Sequence, residues 1–412
     1  MGGGFDKRDH TAILLKTTAE REAITPIIAI VMLLWTIALC GPYFIELWRL
    51  DERGFSALAG TVPYWDFSNL WAGSKLARLG ETSALFDVEL YRQRLTELLG
   101  VPINAQEWSY PPSILLIGVP LSYLPIGIAY VVWTFGTLAG FVGSLCLMRL
   151  PVRTIVVATL SPALALSALL GQNGALTGAL LIAGLVLAPH RPWLGGFLIG
   201  LLCIKPHMAM LVPIVFLAAG NWRAILSAGL TVAVLILATG FLFGFESWAL
   251  FFAETRQIMT RILEAPYGAG HHVSGISIFL MARSFGAGLS VAYAAQTIAI
   301  VLVAIAVWLL WWKNKRPSVR VIAATLILSG FALPYGYTYD LAALSAGAVI
   351  VMQASGQANL SALAGWMWPA LVRPTVLLLQ LSLSPLVFLP LAIIAWLSAW
   401  RMRDVEGEKV PQ

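Results

Sequence analysis

Charge is what this sequence has least of. Only 11% of its 412 residues are Asp, Glu, Lys or Arg, against roughly 25% in an ordinary soluble domain. Apolar residues make up 59% and the mean hydropathy is +0.83. No water-soluble fold hides that much apolar surface, so the solvent for most of the chain is a lipid bilayer. Cysteine is also scarce. Cys40, Cys146 and Cys203 all lie in apolar runs. An odd number without ligand spacing excludes a disulfide framework and a zinc site and predicts small core residues. Walker loop, dinucleotide fingerprint and His-Glu-x-x-His motif are all missing, and the inner polar breaks are too short for a nucleotide domain. Nothing points to a nucleic-acid partner.

What is present is a long alternation of apolar runs and polar breaks. The first run, 24–47, is longer than a signal-peptide core and has no small-residue cleavage site after it, so it is expected to remain as a first span. Further spans are predicted near 125–148, 154–170, 173–188, 193–204, 207–219, 223–244, 289–312, 320–333, 339–353, 371–382 and 385–400. Several fall short of the ~20 residues a simple span needs, which predicts broken helices. The fold class is therefore an all-α polytopic membrane protein with about 12 transmembrane helices, forming one domain over 1–412 with no internal repeat.

The net charge of +6 matters less than its placement. With the N-terminus inside, the cytoplasmic breaks hold Lys7, Arg8, Lys16, Arg21, Arg149, Arg153, Arg191, Arg223, Lys313, Lys315, Arg316, Arg320, Arg373, Arg401, Arg403 and Lys409. The short breaks on the other side hold just Lys205. That asymmetry is the positive-inside rule, and it predicts both termini cytoplasmic. Two long segments, 48–112 and 246–275, then face outward. Helical periodicity near 69–79 and 88–99 carries Lys75, Arg78, Arg92 and Arg94, and 251–262 carries Phe251, Phe252, Ile258, Met259 and Ile262 beside Glu254, Arg256 and Arg261. All three stretches read as interfacial helices in the outer loops.

Polar groups at the ends of spans are costly in lipid and therefore informative. They are Tyr64-Trp65-Asp66-Phe67, Glu107-Trp108-Ser109-Tyr110-Pro111-Pro112, Gly171-Gln172-Asn173, Lys205-Pro206-His207, His271-His272-Val273-Ser274 and Leu333-Pro334-Tyr335-Gly336-Tyr337-Thr338-Tyr339-Asp340. All fall on the outward side, although only Lys205 helped to define it. Asp66, an acid among aromatics, is either a general base with a raised pKa or the N-cap of a helix beginning near Asn69. Lys205 either meets an anion, with His207 as a second donor, or snorkels to the interface; Pro206 predicts a broken helix there. Gln172 and Asn173 are a polar hairpin tip or ligand groups. His271 and His272 suit a sugar or phosphate better than a metal, since adjacent residues do not share a helix face. Asp340 contacts substrate or caps the span it opens. Tyr110-Pro111-Pro112 ends a helix at the water boundary.

In order and spacing, Tyr-Trp-Asp-Phe after the first span, Trp-Ser-Tyr-Pro-Pro before the second, Gly-Gln-Asn, Ile-Lys-Pro-His and Pro-Tyr-x-Tyr-x-Tyr-Asp-Leu make the chain resemble glycosyltransferase family 87 along most of its length. The resemblance implies a GT-C-like fold and an inverting transferase that moves a sugar, with mannose the first to expect, from a polyprenyl-phosphate donor to a lipid or glycan acceptor. It implies Asp66 as the base and Lys205 and His207 at the donor phosphate. Tyr64, Trp65, Trp108, Tyr110, Gln172, Asn173, His271, His272, Tyr337 and Asp340 are the expected substrate contacts, the two histidines standing where relatives often carry Asn-Gln-Ser. No cofactor is implied. The expected setting is a bacterial inner membrane with a periplasmic site. A flippase for a lipid-linked glycan is the rival reading; it should show repeated halves and lack a long interfacial segment after the first span.

Overall fold

The computed structural model describes residues 24–101, 106–312, 317–355 and 359–407, the last six without their side chains. Among these residues the regular secondary structure is all helical, apart from isolated bridges between Leu50 and Ser56 and between Gly275 and Tyr337. Five helices are long and apolar enough to cross a bilayer: Pro26–Leu47, Ile126–Cys146, Trp222–Phe243, Leu289–Trp311 and Ser384–Arg401. Two bent pairs, Val152–Thr159 with Pro162–Leu170 (49°) and Leu360–Ala370 with Val372–Leu379 (74°), raise the count to seven.

Five to seven candidate spans replace the expected twelve. The other apolar runs fold into helices too short to cross alone, such as Gly174–Leu187, Pro192–Ile204, Pro206–Ala218 and Val319–Ala332. At 1.5 Å per residue, fourteen residues reach about 21 Å, short of a ~30 Å hydrocarbon core. Proline explains several of the breaks. Pro162, Pro192 and Pro206 each open a helix, because proline lacks the N–H a continuing helix needs and disfavours helical geometry in the residue before it.

Short helices fill the centre and long ones form the perimeter. Most of Gly174–Leu187 and Val319–Ala332 is buried. Along Trp222–Phe243, by contrast, Leu226, Leu230, Val234, Leu237 and Phe241 are exposed at helical spacing, while the buried positions are Ala224, Ser227, Thr231, Thr239 and Gly240. Large side chains face lipid and small ones face protein, as close helix contact requires when lipid is as apolar as leucine. Gly196 shows how close: a Cβ there would lie 2.3 Å from the Ala224 carbonyl oxygen.

The outer segment departs from its surface-helix expectation. The helix Trp65–Arg78 buries residues 67–74 together with Leu76 and Ala77, so it is a core element. Trp108 and Tyr91 cover it from one side and the short helix Leu115–Leu121, at Gly118, from the other. Arg78 donates to the Ser122 carbonyl at 3.1 Å and stacks over Tyr123. The Val88–Leu99 helix keeps its expected amphipathic character. Asp87 caps it by accepting from the Glu89 and Leu90 amides, each at 3.1 Å, and Gly100 ends it in the left-handed region. It buries only Tyr91 and Leu95. In the second outer segment a helix runs from Glu246 to Glu264 through a π-turn at Phe251–Thr255, with Ile258 buried and Phe252 exposed.

Arg373 requires a correction. Rather than sharing an end with Arg320, as its place among the expected cytoplasmic residues requires, it occupies the end of the bundle that carries Tyr43 and Leu170, standing over the Tyr43 ring. The run expected to span at 371–382 does not continue straight; the chain turns by 74° after Ala370. The opposite end is marked by Thr154 with Gln353 and by Arg320, which donates to Ser398 Oγ and the Ala354 carbonyl. Lys7, Arg8, Lys16, Arg21, Lys313, Lys315, Arg316 and Lys409 lie outside the described residues, as does the side chain of Arg403. Of the cysteines, Cys40 is buried, Cys203 half-buried and Cys146 exposed.

Candidate functional site

Asp66 is the second residue of the Trp65–Arg78 helix, whose N-cap position is Tyr64 and has no side-chain cap. The carboxylate is therefore not spent on capping near Asn69. Protein surrounds it, yet it retains partial access, as at the wall of a recess. Burial pushes its pKa up to about 6, against the opposing pull of hydrogen bonding from Gln172, the Lys205 charge and hydrogen bonding from Trp65.

Gln172 reaches the acid because a glycine precedes it. Gly171 ends the helix Pro162–Leu170 with φ +69°, and a Cβ there would lie 2.4 Å from Phe67 Cβ. The turn thus lies directly against the helix that carries Asp66. Trp133 Nε1 donates to the Gly171 carbonyl at 3.0 Å and pins the turn. On the far side Gly174 approaches Tyr339, whose carbonyl oxygen would be 1.9 Å from an added Cβ.

Lys205 occupies the break between two 3-10 turns, Leu201–Ile204 and Pro206–Ala209. Its ammonium donates to Asp340 Oδ1 at 2.5 Å and to Asn173 Oδ1 at 3.1 Å, and lies 5.2 Å from the centre of the Tyr339 ring. The Lys205 side chain is 11% exposed and that of Asp340 0%, so the lysine is not a snorkelling one. Asp340 also caps its own turn, its second carboxylate oxygen accepting from the Tyr337 amide at 3.2 Å. His207 stacks edge-on against Tyr335 at 4.7 Å, and its buried Nε2 has no partner among the described residues.

Tyr110, Tyr337 and Tyr339 complete the recess; each hydroxyl senses both Asp66 and Asp340. Burial and these two acids raise the pKa of Tyr110, so it stays a neutral hydrogen-bonding group. An outer layer holds the start of the Asp66 helix. Gln106 Nε2 donates to the Trp65 carbonyl at 2.9 Å, Asn69 Nδ2 to the Glu107 carbonyl at 3.1 Å, and Arg92 pairs with Glu107.

The structure therefore gathers Asp66, Trp65, Tyr110, Gln172, Asn173, Lys205, Tyr337 and Asp340 around one recess. Other expected contacts fall outside it. Trp108 is 1% exposed, packed edge-on against Tyr110 and across Gly73, so it braces the wall and presents no face to a sugar. Tyr64 stacks on Tyr130 at 4.5 Å. His271 is exposed, while His272 is buried with Nε2 2.9 Å from the Ile262 carbonyl. Both border a small pocket that Tyr335, Gly336 and Tyr337 also line, so Tyr337 stands between the histidines and the recess. Tyr339, beside Lys205 and electrostatically coupled to both acids, was not among the expected contacts although it stood in its motif. Among the described residues, no group of three His, Cys, Asp or Glu side chains is placed to hold a metal.

Fold and recess together define a multi-pass helical membrane protein with an acid, a paired lysine and tyrosines gathered at one end. The model of glycosyltransferase family 87 matches residues 108–334, more than half of the chain. The protein belongs to that family and is a membrane glycosyltransferase. No curated protein and no solved structure matches it. The matched segment contains Tyr110, Gln172 and Lys205; Asp66, Asp340 and Arg373 lie outside it.

Proposed function

We propose that the protein is an inverting glycosyltransferase that moves a sugar, mannose being the first to test, from a polyprenyl-phosphate donor to a hydroxyl of a lipid or glycan acceptor at the outer face of the membrane. Asp66 is the general base. It takes the proton of the acceptor hydroxyl as that oxygen bonds to the anomeric carbon. The bond from that carbon to the phosphate oxygen breaks, and its electron pair leaves with the phosphate. The leaving group is already an anion and needs charge stabilisation more than a proton.

The observation that carries this reading is the environment of Asp66. Its pKa of about 6 keeps the carboxylate largely ionised at neutral pH while making it a better base than an ordinary aspartate. Gln172 and Trp65 fix its orientation. Tyr110, Tyr337 and Tyr339 supply neutral hydroxyls for sugar or acceptor oxygens, and Asn173 and Asp340 hold Lys205 beside them. The test is transfer of radiolabel from a polyprenyl-phosphate sugar to acceptor by purified protein, with Asp66→Asn as the variant. Loss of transfer in a folded variant supports the assignment. Full turnover by Asp66→Asn removes it.

A further inference from the structure

A cavity of about 430 Å³ lies beside the recess. Its walls are Leu39, Cys40 and Tyr43 of the first span, Leu166 and Leu170 of the bent pair, Ser274, Thr338, and the turn and helix from Pro369 to Leu378. The lining is apolar apart from Tyr43, Ser274, Thr338 and Arg373. Leu377 and Leu378 in its wall are exposed large apolar side chains, as expected where a groove opens toward lipid.

Two facts distinguish Arg373. It is exposed, and among the described residues no carboxylate pairs with it; its guanidinium lies 5.9 Å from the centre of the Tyr43 ring. Tyr43 in turn senses both Arg373 and Asp66, so the cation and the acid flank one tyrosine. Lys205 is differently placed. Asp340 already neutralises it, so a phosphate arriving there meets a pair with little net charge.

We infer that this cavity holds the isoprenoid phosphate of the donor, with the hydrocarbon chain among Leu39, Leu166, Leu377 and Leu378 and the phosphate on Arg373. The inference rests on the glycosyltransferase reading and makes Arg373 the main phosphate-binding cation in place of Lys205. A planar guanidinium suits a phosphate, giving two parallel hydrogen bonds. Thr338, in the cavity wall, adjoins Tyr337 and Tyr339 of the recess. A phosphate on Arg373 would thus direct its sugar toward Asp66.

The test is binding of undecaprenyl phosphate and of uncharged undecaprenol to the purified full chain in nanodiscs, read by native mass spectrometry. The wild type should prefer the phosphate. Arg373→Gln should weaken phosphate binding about tenfold or more, as loss of a charge-assisted hydrogen bond implies, and leave undecaprenol unchanged. Arg373→Lys should retain most of the preference, and Cys40→Trp, which fills the cavity, should weaken binding of both lipids. An undiminished phosphate preference in Arg373→Gln overturns the proposal. So does a wild type that does not discriminate, or displacement of undecaprenyl phosphate by an equal amount of phosphatidylglycerol. Binding and turnover separate the two readings. If wild-type protein transfers sugar while Arg373→Gln binds normally, only the pocket assignment fails. If Asp66→Asn turns over normally, the general-base reading fails and the binding result stands.

Discussion

Lys205 and Arg373 are two cations at the same end of one bundle, yet they differ in what faces them. Lys205 is almost enclosed, with Asp340 on one side and Asn173 on the other. Arg373 stands open in the wall of an apolar cavity, over the Tyr43 ring and, among the described residues, without a carboxylate partner. The first arrangement spends its charge within the fold; the second, on our proposal, keeps it for a ligand. A buried cation with a carboxylate in contact is mainly a positioning element, because removing either partner leaves an uncompensated charge. A cation without one contributes little to stability and is available to bind an anion.

The largest expected effect is at Asp66. Asp66→Asn should reduce transfer at least about a hundredfold, the lower range for loss of a general base. The variant should melt no lower than wild type at neutral pH. The sign follows from linkage: an acid whose folded pKa is raised from 3.8 to about 6 binds more protons folded than unfolded between those values. Ionising it therefore costs stability as pH rises through that window. A lower melting temperature would show the carboxylate to be structural.

Lys205 and Arg373 should then separate by stability. Lys205→Met leaves the Asp340 charge buried and should cost ~3–5 kcal/mol, with part recovered in the double variant Lys205→Met/Asp340→Asn. Arg373→Gln should change stability by no more than ~0.5 kcal/mol, as for an exposed site without partners. Denaturation of both variants in the same detergent decides the matter; equal losses would erase the distinction. Gly174→Ala, which drives a methyl into the Tyr339 carbonyl, should cost ~1–3 kcal/mol and loosen the Asn173 side of the lysine. Smaller still is the pH response. If Asp66 must be ionised, kcat/KM should fall about tenfold per pH unit below about 6 and level off above it. A profile flat from pH 5 to 8 would remove this group from the rate.

Much of the bundle was legible as hydropathy. The first span, Ile126–Cys146, Trp222–Phe243 and Leu289–Trp311 fall within a residue or two of the expected runs, because a helix in lipid must be apolar along its whole length. Span number was less legible. A central run such as 174–187 is as apolar as a true span, and only its length and the glycine before it reveal a short internal helix. The outer helix at 65–78 was misjudged for a related reason. Its polar residues looked solvent-facing, but Asn69 and Ser74 are buried, Asn69 with hydrogen-bond partners inside the fold. The placement of the histidine pair was not legible, because a titratable residue type does not say where its nitrogens point; His272 Nε2 meets a backbone carbonyl and His271 is exposed.

By itself the sequence determined that the chain lives in a bilayer, that its polar motifs are few and spaced between spans, and which residue types could do chemistry. Those conclusions depend on composition and on local rules for helix, turn and proline, which act over a few residues. Which of those groups meet was decided by tertiary structure alone. The Lys205–Asp340 pair joins residues 135 positions apart, and Arg373 reaches Tyr43 across most of the chain. Burial, charge pairing and the shift of the Asp66 pKa are properties of the assembled surroundings, and no local pattern encodes them.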